Sequence, residues 1–301
     1  MTELEGIFAP PITPFDRQGA VDEPALRDLV EYLIEQGVHV LFPLGSVGMG
    51  PAMTPDERQR TAEIIVDQTR GRIPIVLHVG AVDTQTSVVL SRHAAELGVA
   101  AIALIPPYYY RHTEFEIIEH YRAVSEAAPL PIYLYNNPAL SGITITASLA
   151  ARLRREIPAI AGVKLTEDRM KTILDYLRTM PAEFAVLAGF NYYLTAAVPL
   201  GVCGSVDPLS TFFPKHYLAL WNALRQEDYR RAFALQLRLN EAESAILDMM
   251  SRVGRSVYQE ILKLRGLPIQ MYPRWRAQQL NSEDIDALRT ILKRVDEVET
   301  A

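Results

Sequence analysis

Lys164 lies in the apolar run Ile160-Ala161-Gly162-Val163-Lys164-Leu165, twenty-nine residues after Tyr135. Only five of the thirty Lys and Arg residues are lysines, and Lys164 alone among them falls in a strand-like run. An unpaired ammonium is costly to bury, and such a group tends to shed its proton instead. A neutral lysine attacks carbonyls and forms Schiff bases. A tyrosine at the end of the preceding strand could carry the protons that this chemistry moves. The plainer alternative is a strand-end lysine whose ammonium snorkels to solvent.

The elements that must hold these residues follow from short apolar runs alternating with amphipathic stretches. The strand candidates are Gly6–Ile12, His39–Leu44, Pro74–Val79, Ala100–Ile105, Pro131–Asn136, Ile160–Leu165, Phe184–Ala188 and Val202–Val206. Helix candidates lie between them near 23–36, 55–70, 84–97, 114–127, 146–156, 168–179, 191–200 and 212–224. Thr54-Pro55-Asp56-Glu57 combines an N-cap, a first-turn proline and acids, while Gly37 and Gly98 fall where helices should stop.

Eight β-then-α units imply parallel strands, because each return crossover needs a helix. The expected fold is therefore an α/β (β/α)₈ barrel over residues 1–224. A doubly wound open sheet is the alternative, but no Gly-x-Gly-x-x-Gly follows the first strand. Residues 225–301 read as a three-helix appendage. Its long helix, 227–250, repeats apolar residues at Leu235, Leu239, Ala242, Ile246 and Met249, and Pro268 and Pro273 break the chain before a last helix near 282–297. Active-site groups of a barrel emerge at the carboxyl ends of strands. Gly45 and Ser46, Tyr109, Tyr135, Lys164 and Gly189 all fall at such ends and would share one rim.

Composition narrows the functional classes. Net charge is −6 with a pI of about 5.6, which argues against a nucleic-acid surface. Nearly half of the residues are hydrophobic, yet no apolar run reaches the ~18 residues of a membrane helix. The amino terminus has no signal-like region, and the single Cys203 suits a reducing compartment, so a cytoplasmic protein is expected. Cys203 itself reads as a small buried residue. The six histidines show no ligand spacing, so no metal site is expected, and His78 reads as a satisfied core histidine. The run Arg225–Arg238, interleaved with acids, reads as a solvated helix face.

Four motifs stand in order along the chain: Thr13-Pro14-Phe15-Asp16, Leu44-Gly45-Ser46-Val47-Gly48, Tyr135-Asn136-Asn137-Pro138-Ala139-Leu140-Ser141-Gly142 and Gly162-Val163-Lys164. In these the sequence, from Gly6 to about Gly204, resembles the pyruvate-dependent class I aldolases of the dihydrodipicolinate synthase and N-acetylneuraminate lyase superfamily. The Tyr135–Gly142 stretch looks more like the neuraminate lyase branch.

The resemblance implies a lyase that needs no external cofactor. Lys164 would condense with the ketone of pyruvate or another 2-oxo acid, and the iminium would act as an electron sink. Tyr135 would be the acid/base, relayed by Ser46 and by Tyr109 lent across a subunit interface. Gly45, Ser46 and Val47 would bind the substrate carboxylate, with Thr166, Gly189, Asn191 and Val206 as further substrate contacts. A homotetramer, a dimer of dimers, is implied. The chain departs from the family pattern at Val47, usually a hydroxyl residue, and at Met49, usually an acid. Asn191-Tyr192 replaces an acidic pair, which speaks against sialic acid as the substrate. Leu140 stands where dihydrodipicolinate synthases place an arginine for the carboxylate of their aldehyde, and no arginine occurs from Tyr135 to Ser148.

The leading expectation is thus an aldolase or dehydratase for pyruvate, 2-oxo acids or sugar-derived 2-keto-3-deoxy acids. A 4-hydroxy-tetrahydrodipicolinate synthase is the rival within the family. A pocket that binds a 2-oxo acid without turnover, suggested by Val47 and Met49, is the rival outside enzymology. A phosphate-handling barrel has only the faint loop Gly201-Val202-Cys203-Gly204-Ser205 in its favour.

Overall fold

The computed structural model describes residues 4–167, 169–267, 269, 274 and 277–297. Eight parallel strands alternate with helices. The first half runs β1 (Gly6–Ala9), α1 (Glu23–Glu35), β2 (Val40–Leu41), α2 (Pro55–Thr69), β3 (Val76–His78), α3 (Thr84–Glu96), β4 (Ala101–Leu104) and α4 (Glu114–Ala127). The second half runs β5 (Ile132–Asn136), α5 (Pro138–Ser141), α6 (Ala147–Glu156), β6 (Ile160–Leu165), α7 (Met170–Thr179), β7 (Ala185–Ala188), α8 (Leu194–Ala197), β8 (Gly204–Val206), α9 (Leu209–Phe212) and α10 (Pro214–Arg225). Three further helices follow: α11 (Tyr229–Val253), α12 (Ser256–Leu264) and α13 (Ser282–Asp296).

The strand order β2-β1-β8-β7-β6-β5-β4-β3 is that of a ring. A parallel bridge between Leu41 and Ile75 and the bonds Leu41 N–H to Pro74 O and His78 N–H to Pro43 O close it between β2 and β3. The expected (β/α)₈ barrel with its helical appendage is therefore the fold.

Strand parity decides what faces the lumen. Phe8, Val40, Phe42, Val76, Ala101, Ala103, Tyr133, Leu187 and Val206 form a buried cluster separate from the larger core between strands and helices. Tyr135 shares parity with Tyr133, and Lys164 pairs in register with Tyr135 on one side and Leu187 on the other. Neighbours in register point to the same face, so Tyr135 and Lys164 enter the lumen above the packed layers.

Local signals placed most boundaries well. Thr54 forms a full capping box with Glu57, with Pro55 at the first helical position, and Gly37 and Gly98 adopt φ of 85° and 70° just after α1 and α3. The apolar positions Leu235, Leu239, Ala242, Ile246 and Met249 of α11 are all buried, and the four arginines of the 225–238 run that the structure describes face solvent.

Several boundaries moved for physical reasons. β1 stops at Ala9 because Pro10 and Pro11 have no N–H for the ladder. The single helix expected over 191–200 is a turn, the four-residue α8 and a 3₁₀ turn at Val198–Leu200, where Pro199 interrupts α-helical bonding. The helix expected over 212–224 becomes α9 and α10, which meet at Phe213 and Pro214. Pro268 and Pro273 lie outside the described residues. Cys203 is only half-buried, because it precedes β8 at the open amino end of the barrel. No described helix is long and apolar enough to cross a membrane.

Candidate active site

Lys164 is 4% exposed, and its Nζ sits 4.3 Å from the ring centroid of Tyr135 and 4.8 Å from that of Phe42. No carboxylate is hydrogen-bonded to it among the described residues. Two aromatic faces therefore supply its nearest stabilisation as a cation. β5 and β6 place these groups: the pairing of Tyr135 with Lys164 sets phenol and amine side by side at the carboxyl ends of adjacent strands.

The Tyr135 hydroxyl is held from two directions. Ser46 Oγ lies 3.1 Å away, and Asn137 Nδ2 donates to the phenol oxygen at 3.1 Å. Edge-on contacts from Phe42 (6.1 Å between centroids) and His78 (5.5 Å) fix the ring plane. Burial pushes the phenol pKa up, but the Lys164 charge and hydrogen bonds to Ser46, Asn137 and Lys164 outweigh it, leaving Tyr135 below its ordinary value of 10. That direction suits a proton carrier.

The turn after β2 is tightly wound. Leu44 and Met49 adopt φ of 62° and 57°, a left-handed conformation that L side chains rarely take. Gly50 packs so closely that an added Cβ would overlap the Leu44 carbonyl oxygen. Thr13 Oγ1, from the first sequence motif, donates to Gly48 O at 2.7 Å. The N–H groups of Ser46, Val47 and Gly48 make no hydrogen bond among the described residues, so this turn can present amides to an anion. The side chains of Val47 and Met49 are buried in the apolar core. The departure from hydroxyl and acid at these positions thus removes polar groups without breaking the turn.

On the opposite side of the mouth, Thr166 Oγ1 is buried without a partner among the described residues. It lies against Gly189, where an added Cβ would come within 2.7 Å of that hydroxyl. Val206 faces the lumen. Asn191 is fully buried, with Ser205 Oγ donating to its Oδ1 and its Nδ2 reaching Ser210 Oγ. Its amide is thus occupied in the seam behind β7 and β8. Tyr109 is 83% exposed at φ 81°, with its ring edge-on to Tyr110, and makes no contact with Tyr135 in its own chain. Leu140, on α5, is also exposed.

Sequence reasoning missed three contributors. Asn137 was visible as the second asparagine of the Tyr135 motif, two residues past the phenol and thus on the same side of the strand. His78 was read as a satisfied core histidine. Its Nδ1 pairs with Leu44 O at 3.1 Å, but Nε2 is buried and unpartnered among the described residues. The third is a carboxyl pair, Asp207 after β8 and Glu243 on α11, which tertiary contact alone reveals. Burial pushes Asp207 up to about 6, while burial and the Asp207 charge push Glu243 up to about 9. No group of three metal-ligating side chains occurs among the described residues.

A closed parallel barrel with a buried amine beside a phenol at its carboxyl rim has the form of the class I aldolase type of lyase. The family model described as Dihydrodipicolinate synthetase family matches residues 3–295, and this chain belongs to that family. The chain is 32% identical over 232 residues, 77% of its length and 79% of the relative's, to the 4-hydroxy-tetrahydrodipicolinate synthase of Syntrophus aciditrophicus. It is 33% identical over 245 residues (81% of this chain, 82% of the relative) to that of Nitrobacter hamburgensis. Among solved structures it resembles YagE, a prophage protein of the dihydrodipicolinic acid synthase family from E. coli K12 in complex with pyruvate. The TM-score is 0.90 at 28% identity, over 97% of this chain and 98% of YagE. The fold also matches the sialic acid aldolase of Ruminococcus gnavus, with TM-score 0.90 at 23% identity over 99% and 98% of the two chains. The protein is accordingly a lyase of the class I aldolase type.

Proposed function

We propose that the enzyme forms a Schiff base between Lys164 and pyruvate, or the 2-oxo group of a larger acid, and makes or breaks a bond at the adjacent carbon. The observation that carries this reading is the buried Lys164–Tyr135 pair with Ser46 on the phenol. The unprotonated amine attacks the ketone, the carbinolamine loses water, and the iminium accepts the electron pair released when a C–C or C–H bond at the neighbouring carbon breaks; in a dehydration the enamine so formed then expels the hydroxyl one carbon further along. Tyr135 gives and takes the protons, passing them through Ser46 and then to Tyr109 of a second subunit. Amides of Gly45, Ser46 and Val47 hold the carboxylate, while Thr166, Gly189 and Val206 border the rest of the substrate. Asn191, its amide oriented by Ser205 and Ser210, is a further substrate contact. A covalent Schiff base replaces any external cofactor.

The exposed aromatics Tyr109, Tyr110 and Phe115, together with Tyr229, Phe233 and Leu237 on α11, support a homo-oligomer, for which a dimer of dimers is the family's arrangement. A cytoplasmic enzyme is consistent with a single, half-buried cysteine. The barrel of 1–224 carries the site, and 225–301 braces it.

The relatives' name suggests condensation of pyruvate with aspartate semialdehyde. Leu140 weighs against it, since leucine cannot pair with the second carboxylate, so we favour a partner aldehyde without that group, including those released from 2-keto-3-deoxy acids. The test is borohydride reduction in the presence of pyruvate. One adduct is expected, mapping to Lys164 and absent from Lys164→Ala. Labelling of another lysine, or none, would sink the proposal.

A further inference from the structure

His78 joins two parts of the candidate site that come from different strands. Its ring stands edge-on to Tyr135 at 5.5 Å and 89°, and its Nδ1 lies 3.1 Å from the carbonyl of Leu44. A carbonyl only accepts, so Nδ1 carries the proton and the neutral ring keeps Nε2 as a bare acceptor. Leu44 is the left-handed residue that opens the glycine turn, a conformation that persists only where its surroundings hold it. The backbone of β3 is itself anchored. Arg58, buried on α2, donates to His78 O at 2.7 Å and to Gly80 O at 2.9 Å.

We propose that His78 is a positioning residue for the reaction at Lys164, setting the carboxylate-binding turn at Leu44 and the ring of Tyr135 relative to each other. This rests on the Schiff-base reading above. The imidazole works uncharged. Burial first, then the Arg58 charge, with a smaller push from Lys164, holds its pKa well below 6.5 against the opposing Leu44 hydrogen bond. A protonated Nε2 would also have no acceptor among the described residues.

The test compares His78→Asn, whose amide nitrogen can occupy the place of Nδ1, with His78→Gln and His78→Leu, which cannot donate there. The readout is the pyruvate concentration giving half-maximal borohydride trapping at Lys164, with thermal melting measured on each variant. A turn that is competent only part of the time weakens apparent affinity by that fraction. The Gln and Leu variants should therefore need roughly tenfold more pyruvate, with full trapping at saturation, and the Asn variant should stay within about threefold of wild type. The pH dependence of trapping from 5 to 8 should be the same in wild type and the Asn variant. A folded Gln variant with wild-type half-saturation, or Asn and Gln variants equally impaired, overturns the proposal and leaves His78 a packing residue. Absence of trapping in the wild type would instead indict the Schiff-base reading itself.

Discussion

Tyr135 carries the most specific expectations at the level of single residues. Its phenol is fixed by Ser46 and Asn137, and Tyr135→Phe keeps the ring that packs against Phe42 and His78 while deleting only the hydroxyl. Turnover should fall by ~10²–10⁴-fold with Schiff-base trapping still detectable. A stable variant with unchanged kcat would place the proton carrier elsewhere. Leu140 gives a second expectation. A bidentate charged contact to the aldehyde's carboxylate is worth on the order of 2–5 kcal/mol, so condensation with aspartate semialdehyde should be inefficient. Robust synthase kinetics with that aldehyde would show that another residue binds the carboxylate. Lys164, Tyr135 and Ser46 were legible from residue type and motif order. The engagement of the Asn191 amide by Ser205 and Ser210 was not legible, because sequence cannot say which side chains pack against it.

The seam where α11 meets the ends of β7 and β8 belongs to the level of elements. Asp207 accepts from Leu209 N–H at 2.8 Å, and Gln236 on α11 donates to Asn191 O at 2.7 Å. Asp207 and Glu243 face Tyr192 of the β7 loop, Tyr217 of α10 and Tyr258 of α12, with Lys164 as the cation acting on Asp207. Two carboxyl groups buried together do not both ionise readily. The sign of the pH effect follows. An unfolded glutamate releases its proton near ~4.3, whereas folded Glu243 holds it to about 9, so the native state binds more protons in between. This pair's contribution to stability therefore declines as pH rises from 5 to 9. Glu243→Gln should flatten that decline, with a melting temperature at pH 9 at least ~2 °C above wild type. Parallel melting curves for the two proteins across that range would show that Glu243 does not keep its proton in the folded state.

For the whole molecule the open question is completeness of the site. Tyr109 is exposed whereas Tyr135 is buried, which fits a residue lent to a neighbouring subunit. Mixing Tyr109→Phe with Lys164→Ala, each impaired alone, should then restore activity after subunit exchange, because a hybrid site combines the intact lysine of one chain with the intact tyrosine of the other. No recovery from chains shown to have exchanged would confine the relay to one subunit.

Eight β-then-α repeats, the capping box at Thr54 and the alternation of apolar residues sufficed to specify the barrel, since each depends on local periodicity and on the short reach of crossovers. Motif order likewise singled out Lys164, Tyr135 and the turn at Gly45–Gly48. Closure of the ring decided the rest. It brought His78 against Tyr135 and Leu44 from strands far apart in sequence, and it buried Asp207 against Glu243 thirty-six residues later in the chain. Hydrogen bonds and desolvation act between atoms a few ångströms apart, and only packing determines which polar side chains become neighbours.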